Sequence, residues 1–324
     1  MAEIVLGLGA SHGPPVTMPV QQWPALVEKD QRDPRMDYNA LLKTAKATIH
    51  DEIRPERMAE RFETAQRSLG KLREVLEATA PDVILVVGDD QGEQFTPDHM
   101  PAFCIYRGDT MEIVQRARGD SKWGNMAWLS FTEQGAPQVP RPYDAAPELA
   151  DHLIRHLVDH DFDIASCAQF KPEVGMGHAY SFLYRTILPA GDIPVLPLMV
   201  NTMYQPNTPT PKRCYELGRA LRRGIEAWDS NKRLAIMASG GLSHVILDED
   251  LDRSVVDALI EKDGEALRTL PRDRLDRAAG TTEIRNWIVV AGAMEPLSMT
   301  LASYEPCYRS PAATGVGMAF AYWK

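Results

Sequence analysis

Cysteine is scarce in this 324-residue chain, and the four present, Cys104, Cys167, Cys214 and Cys307, stand far apart. With no CxxC pair and no dense spacing they support neither a disulfide framework nor a thiolate zinc site, and they fit a reducing compartment. Long apolar runs are also missing: no stretch approaches the roughly 18 residues that a membrane-spanning helix needs. The apolar opening is broken early by Gly7, Gly9, Ser11 and His12, so it does not read as a secretory leader. A cytoplasmic protein without membrane contact is the expectation. Positive charge is short as well, with 35 Lys and Arg against 45 Asp and Glu, a net of -10. The densest basic stretch, 219 to 223, reads as the polar face of a helix running on to Ile225 and Trp228, so no nucleic-acid partner is expected.

What is present is an ordinary globular composition, 44% hydrophobic and 25% charged, on a chain long enough for a sizeable core. EIVLGLGA at the start is a short buried strand that ends in glycine and delivers Ser11 and His12, after which Pro14 and Pro15 cannot continue it. DVILVVG is a β-branched run of the kind covered on both faces, and it leads into the polar loop DDQGEQF. FDIASC followed by KPEVGMGHAY repeats the plan and presents His178. IPVLPLMVN and RLAIMASGG complete it, the latter leading into Ser243 and His244. Between these runs, 56 to 79 sets Met58, Phe62, Ala65, Leu69, Leu72 and Leu76 on one stripe, a helical signature, and further helices are expected near 147 to 160, 212 to 228, 253 to 270 and 281 to 293. Strands alternating with helices predict an α/β fold: an open mixed sheet flanked by helices, in one domain over 1 to 324, with ligands at the carboxyl ends of the strands. Residues 17 to 55, rich in Pro, Trp and charge, read as an inserted segment that forms a lid or an oligomer contact.

Four polar sites therefore stand at strand ends: Ser11 with His12, Asp89 to Gln91 with Glu93, His178, and Ser243 with His244 followed by Glu249 and Asp250. Two histidines and a carboxylate would leave three open positions on Fe(II), as an oxygen-using enzyme needs. Singly, each of these residues is as well explained by a loop hydrogen bond or a helix cap. His152, His156 and His160 share a helical spacing, but the neighbouring stripe Leu149, Leu153 and Leu157 must face the core, which leaves the histidines on an adjoining side without a metal role. His50 and His99 read as surface residues.

The segments GLGASHGP (7 to 14), VVGDDQGEQF (86 to 95), GHAYSFL (177 to 183), ASGGLSH (238 to 244), and DEDLD followed later by TTEIRNW resemble, in order and spacing, the class III extradiol ring-cleavage dioxygenases. The likeness is to the group of the catalytic β-subunit of protocatechuate 4,5-dioxygenase, and it runs from residue 4 to about 320. It implies an Fe(II) enzyme that opens a catechol-type aromatic acid, such as protocatechuate, gallate or a methylgallate, with O2. It also implies that His12 is an iron ligand and His178 the active-site acid and base. A carboxylate ligand follows the GGLSH segment in that family, which points to Glu249 or Asp250; Glu249 is preferred because it reaches further and Asp250 can cap the helix near Leu251. His244 matches the GGLSH histidine, facing substrate or standing behind the ligands. Where the family has a second metal-binding histidine the chain has Gln91. Either its amide oxygen ligates, or Asp89 or Asp90 replaces the imidazole and favours a harder ion, or the site is rebuilt or lost. Arg285 and Asn286 are candidates to orient a substrate carboxylate or to form an ion pair on a helix surface. The inserted segment would let the chain cover its own site as a homodimer. Two other readings stay open: a divalent-metal hydrolase or lyase built on Asp89, Asp90 and Glu93, and a non-catalytic partner subunit with a degenerate metal site.

Overall fold

In the computed structural model, which describes residues 1–114, 141–278 and 280–324, nine strands form one mixed sheet. Its centre is four parallel strands in the order β1 (Glu3–Ala10), β8 (Arg233–Ser239), β2 (Val83–Asp89) and β7 (Val195–Val200). These are the four strands with near-continuous apolar runs, and the reason is visible in their alternation. Val83, Leu85 and Val87 of β2 enter the core on one face of the sheet while Ile84 and Val86 enter the core on the other; in β8, Leu234, Ile236 and Ala238 oppose Ala235 and Met237. A strand with helices on both faces has no side to give to water. One face is covered by helices Pro147–Val158, Pro211–Ala227, Glu249–Glu261 and Ile284–Ala293, the other by Pro55–Thr79 and His178–Thr186.

Antiparallel strands extend both sides of this centre. The hairpin of β10 (Met299–Tyr308) and β11 (Thr314–Trp323) continues from β1, and the short β9 (His244–Ile246) pairs with the start of β11. On the far side, β3 (Phe103–Tyr106) runs antiparallel to β7, and β6 (Ala165–Cys167) forms the edge beside β3, while β4 (Thr110–Glu112) and β5 (Pro142–Asp144) pair in a separate two-stranded sheet. The expected strand around FDIASC is therefore a three-residue edge piece, and β3, β9 and β10 are additions to the sheet foreseen from sequence.

The inserted segment is more helical than its spacing suggested. It contains helices Pro24–Arg32, Tyr38–Thr44 and Ile49–Glu52. It is tied down by Asp30, fully buried, whose carboxylate accepts two bonds from Arg309 at 2.7 and 2.9 Å and one from the Thr314 hydroxyl. Arg309 holds that carboxyl below its usual range against the opposing pull of burial. The segment thus packs on the turn of the β10–β11 hairpin, next to the strand that carries His244.

Candidate functional site

The parallel strands β1, β2 and β8 all end on the same side, and each hands over a polar group there. His12 follows β1 after two residues and is 2% exposed. Its Nδ1 lies 2.9 Å from Ser239 Oγ, the last residue of β8. Ser239 already donates its hydroxyl hydrogen to Ala179 O at 2.6 Å, so it accepts from His12. His12 therefore carries its hydrogen on Nδ1 and presents a lone pair at Nε2.

β2 ends on Asp89, and the next residues divide their tasks. Asp90 accepts from the backbone N–H of Gln94 and Phe95 at 2.8 and 2.9 Å, closing a turn. Glu93 accepts from the His178 backbone N–H and from His178 Nδ1, the latter at 2.7 Å. That bond occupies Nδ1, so any proton that His178 exchanges with a substrate passes through Nε2. The acidic run is thus three separate devices and no single carboxylate cluster. Asp89 is the exception in partners: it is 1% exposed, and neither of its oxygens has a hydrogen bond of proper geometry.

The loop after β8 supplies the last pieces. His244 Nδ1 lies 2.8 Å from Leu242 O, and a carbonyl only accepts, so this ring too presents its lone pair at Nε2. Its backbone N–H donates to Thr281 Oγ1 at 2.9 Å. Val245, the next residue, is held at φ 65, a conformation that a β-branched side chain adopts only where its surroundings force it. Gly280, at φ 93, sits so close that a Cβ there would lie 2.5 Å from that of His244. Glu283 closes the loop: its Oε2 accepts from Gly241 N at 2.8 Å and its Oε1 from Gln91 Nε2 at 3.2 Å. Gly240, at φ 146, leaves room for it, since a Cβ would stand 2.9 Å from Oε2.

Asp252 fixes this loop from behind. Fully buried, it accepts from Ser243 N, Ser243 Oγ and Tyr304 OH at 2.7, 2.7 and 2.8 Å, yet burial still pushes its carboxyl up to about 6. The folded state then keeps a proton that the unfolded chain releases near its ordinary value, so this contribution to stability is present at low pH and lost as pH rises toward 6. In Asp252→Asn it is absent. Urea denaturation of the metal-free proteins should show the variant gaining on the parent by on the order of 1 kcal/mol between pH 5 and pH 7.5; an unchanged gap would refute this.

The Nε2 atoms of His12 and His244 stand 3.7 and 3.4 Å from the same oxygen of Glu283, Oε2. The rings of His12 and His178 meet edge to face with centroids 4.8 Å apart. Among the described residues, His12, Asp89 and His178 form the group whose ligand atoms all lie within 4.8 Å of one another. His12, His244, Asp89 and Glu283 are each penalised for carrying charge. Burial, then the neighbouring histidines, hold His12 well below its ordinary value, and burial takes His244 down to about 4. Burial raises Asp89 and Glu283 each to about 7, with Glu283 adding to the shift on Asp89. Lone pairs facing carboxylates with no donor between them are mutually repulsive. A divalent cation would turn each of these contacts into an attraction, and the nitrogen and oxygen donors suit a first-row transition metal.

The structure gathers His12, Gln91, His178 and His244 around this point, together with Asp89. Glu249 and Asp250 lie elsewhere. The Glu249 carboxylate is engaged by Tyr308 OH at 2.6 Å, Lys46 at 2.9 Å and Arg253 at 3.0 Å, and Asp250 is an exposed residue in the first turn of helix Glu249–Glu261, which Asp248 caps. The carboxylate that His12 faces is Glu283, from the quoted TTEIRNW segment, where Arg285 and Asn286 had drawn attention instead. Arg285 is fully buried and bonds to Pro209 O, Thr202 O and Asp276; Asn286 donates to Ser239 O. Both brace the loop. Ser239, which sets the His12 tautomer, was not singled out, and Glu93, expected within an acidic cluster, is instead the partner of His178. His152 bonds to Gly224 O on the adjacent helix, and His50 and His99 are exposed.

Comparison with known proteins bears on this site. Residues 43–318 match the family model described as the catalytic LigB subunit of aromatic ring-opening dioxygenase. A gallate dioxygenase from Pseudomonas putida is 27% identical over 196 residues, 57% of this chain and 55% of its own length. A 2,3-dihydroxyphenylpropionate/2,3-dihydroxicinnamic acid 1,2-dioxygenase from Comamonas testosteroni is 29% identical over 178 residues, 55% of this chain and 48% of its own. The chain thus matches about half the length of these curated relatives.

Proposed function

We propose, on the premise that this chain belongs to the family of catalytic LigB subunits of aromatic ring-opening dioxygenases, that it cleaves a catechol-type aromatic acid beside its vicinal diol with O2, using Fe(II). The observation that carries this reading is the set of imidazole lone pairs turned toward the buried carboxylate of Glu283, with Asp89 bare beside them. His12 and Glu283 would hold the ion, and Glu283 takes the ligand role that the sequence motif suggested for Glu249 or Asp250. When bound, Fe(II) would acidify a chelated diol and leave positions for substrate and oxygen.

The chain's own residues do the rest. His178 accepts a hydroxyl proton at Nε2 and later returns it. Glu93, fixed against Nδ1, stabilises the imidazolium that forms in between and holds the ring's orientation. His244 presents Nε2 to a substrate hydroxyl from the half-buried side of the site, its ring fixed by Leu242 O. Gallate and 2,3-dihydroxyphenylpropionate, the substrates of the two relatives, define the chemical class to try first. After anaerobic loading with Fe(II), oxygen-electrode traces with protocatechuate, gallate, 3-O-methylgallate, 2,3-dihydroxyphenylpropionate and simple catechols should show uptake with at least one. Silence with all of them despite bound iron would remove the reading, and a failure to retain iron at all would favour a non-catalytic subunit.

A further inference from the structure

We infer that Asp89 supplies a ligand to the metal, so that the ion is held by His12, Asp89 and Glu283 while Gln91 braces Glu283 and does not itself ligate; this rests on the metal-site part of the reading above. Four polar side chains follow one another closely at the end of β2, and three are already engaged. Asp90 closes its turn on Gln94 and Phe95, Glu93 holds His178, and Gln91 donates its amide to Glu283. Asp89 alone of the four is buried with neither oxygen in a hydrogen bond of proper geometry, the Gln91 amide being its nearest polar donor.

A carboxylate in that position carries a heavy desolvation penalty unless a cation meets it. Among the described residues no Lys or Arg pairs with it, whereas the histidine ligand atoms of His12 and His178 lie within 4.8 Å of an Asp89 oxygen. Asp89 is also the last residue of a central strand, paired with Val200 of β7, so its backbone is fixed and its side chain is set for one task. One imidazole with two carboxylates is a harder donor set than two imidazoles with one, and it shifts relative preference toward Mn(II) and Fe(II) and away from Co(II) and Zn(II).

The test is Mn(II) titration of the metal-free full chain, followed by the electron paramagnetic resonance signal of free Mn(II). Asp89→Asn should weaken binding by at least on the order of 100-fold, and Gln91→Ala by less than about tenfold. Asp89→His should keep a bound ion but move the Co(II)-to-Mn(II) affinity ratio up by on the order of tenfold. Thermal melts supply a readout that a merely structural role would move the other way: metal-free Asp89→Asn should melt no lower than the parent, and Mn(II) should raise the parent's midpoint but not the variant's. The inference falls if Asp89→Asn binds Mn(II) as tightly as the parent, if Gln91→Ala is the variant that loses it, if Asp89→His leaves the ratio unmoved, or if metal-free Asp89→Asn unfolds. Loss of Mn(II) in Asp89→Asn beside an iron-loaded parent silent to every diol would keep this ligand and sink ring cleavage. Oxygen uptake by the parent with unchanged Mn(II) binding in Asp89→Asn would do the reverse.

Discussion

His12→Ala should give a folded protein that retains no iron and whose ring-cleaving turnover falls by at least roughly 10³-fold, about 4 kcal/mol of lost catalysis. The fold should survive because the ring's one fixed bond is to Ser239, whose hydroxyl keeps its donor partner in Ala179 O. Losing that bond and leaving a small cavity costs about 1–3 kcal/mol, within what a domain of this size tolerates. The metal has no such reserve. Among the described residues, His12 both faces Glu283 at 3.7 Å and belongs with Asp89 and His178 to one group, so it is shared by those two ligand sets. Iron analysis after anaerobic loading, with the parent in parallel, decides the matter. Full iron content in the variant would refute the site as described. Partial recovery on adding free imidazole would mark the loss as that of a ligand and not of a fold.

That His12 could be picked out beforehand, and Glu283 could not, follows from how each is positioned. His12 comes just after the apolar run of β1 and before Gly13, and His244 comes three residues after Gly241 at the end of β8, and the alternation of β1 and β8 makes those runs readable without a structure. A strand end in an α/β sheet is a local feature. Glu283 is one of 45 acidic residues, and it reaches the site only because two turns, at Gly240 and Gly280, fold the loop after β8 against the start of helix Ile284–Ala293. Glu249 stood nearer to the GGLSH motif along the chain. In space it looks across to Lys46 of the inserted segment, a contact that no spacing announces.

The sheet shows the same division. β10 has neither strict alternation nor a continuous apolar run, and its residues from Leu301 to Pro306 are all half-buried, as suits an outer strand lying under helices on only part of its length. Its pattern gives composition nothing to detect. Helix Ile284–Ala293 misleads in the opposite sense: all ten residues are buried, so Arg285 and Asn286 read from sequence as polar surface or substrate contacts, while in the fold their hydrogen bonds close backbone carbonyls around the site. The place of the inserted segment is set by the buried pair of Asp30 and Arg309, 279 residues apart in sequence.

His178→Ala should separate proton transfer from metal binding: iron content stays at the parent level while turnover falls roughly 10²–10⁴-fold, the range that a positioned acid and base supplies. The residue opens helix His178–Thr186, and its backbone N–H remains bonded to Glu93 in the variant, so the helix start is preserved. What disappears is an imidazole whose Nδ1 is held by a carboxylate at 2.7 Å, an arrangement that orients the ring. Because chelation of the diol does not depend on this ring, KM should move far less than kcat. Glu93→Gln should show the same split more weakly, since the glutamine can still accept from Nδ1–H but cannot stabilise the imidazolium. The geometry also holds a competing arrangement, for His178 belongs with His12 and Asp89 to the group whose ligand atoms approach within 4.8 Å. If His178→Ala loses its iron along with its turnover, His178 is a ligand, the proton must travel through His244, and the division of labour between the two rings is the reverse of the one described here.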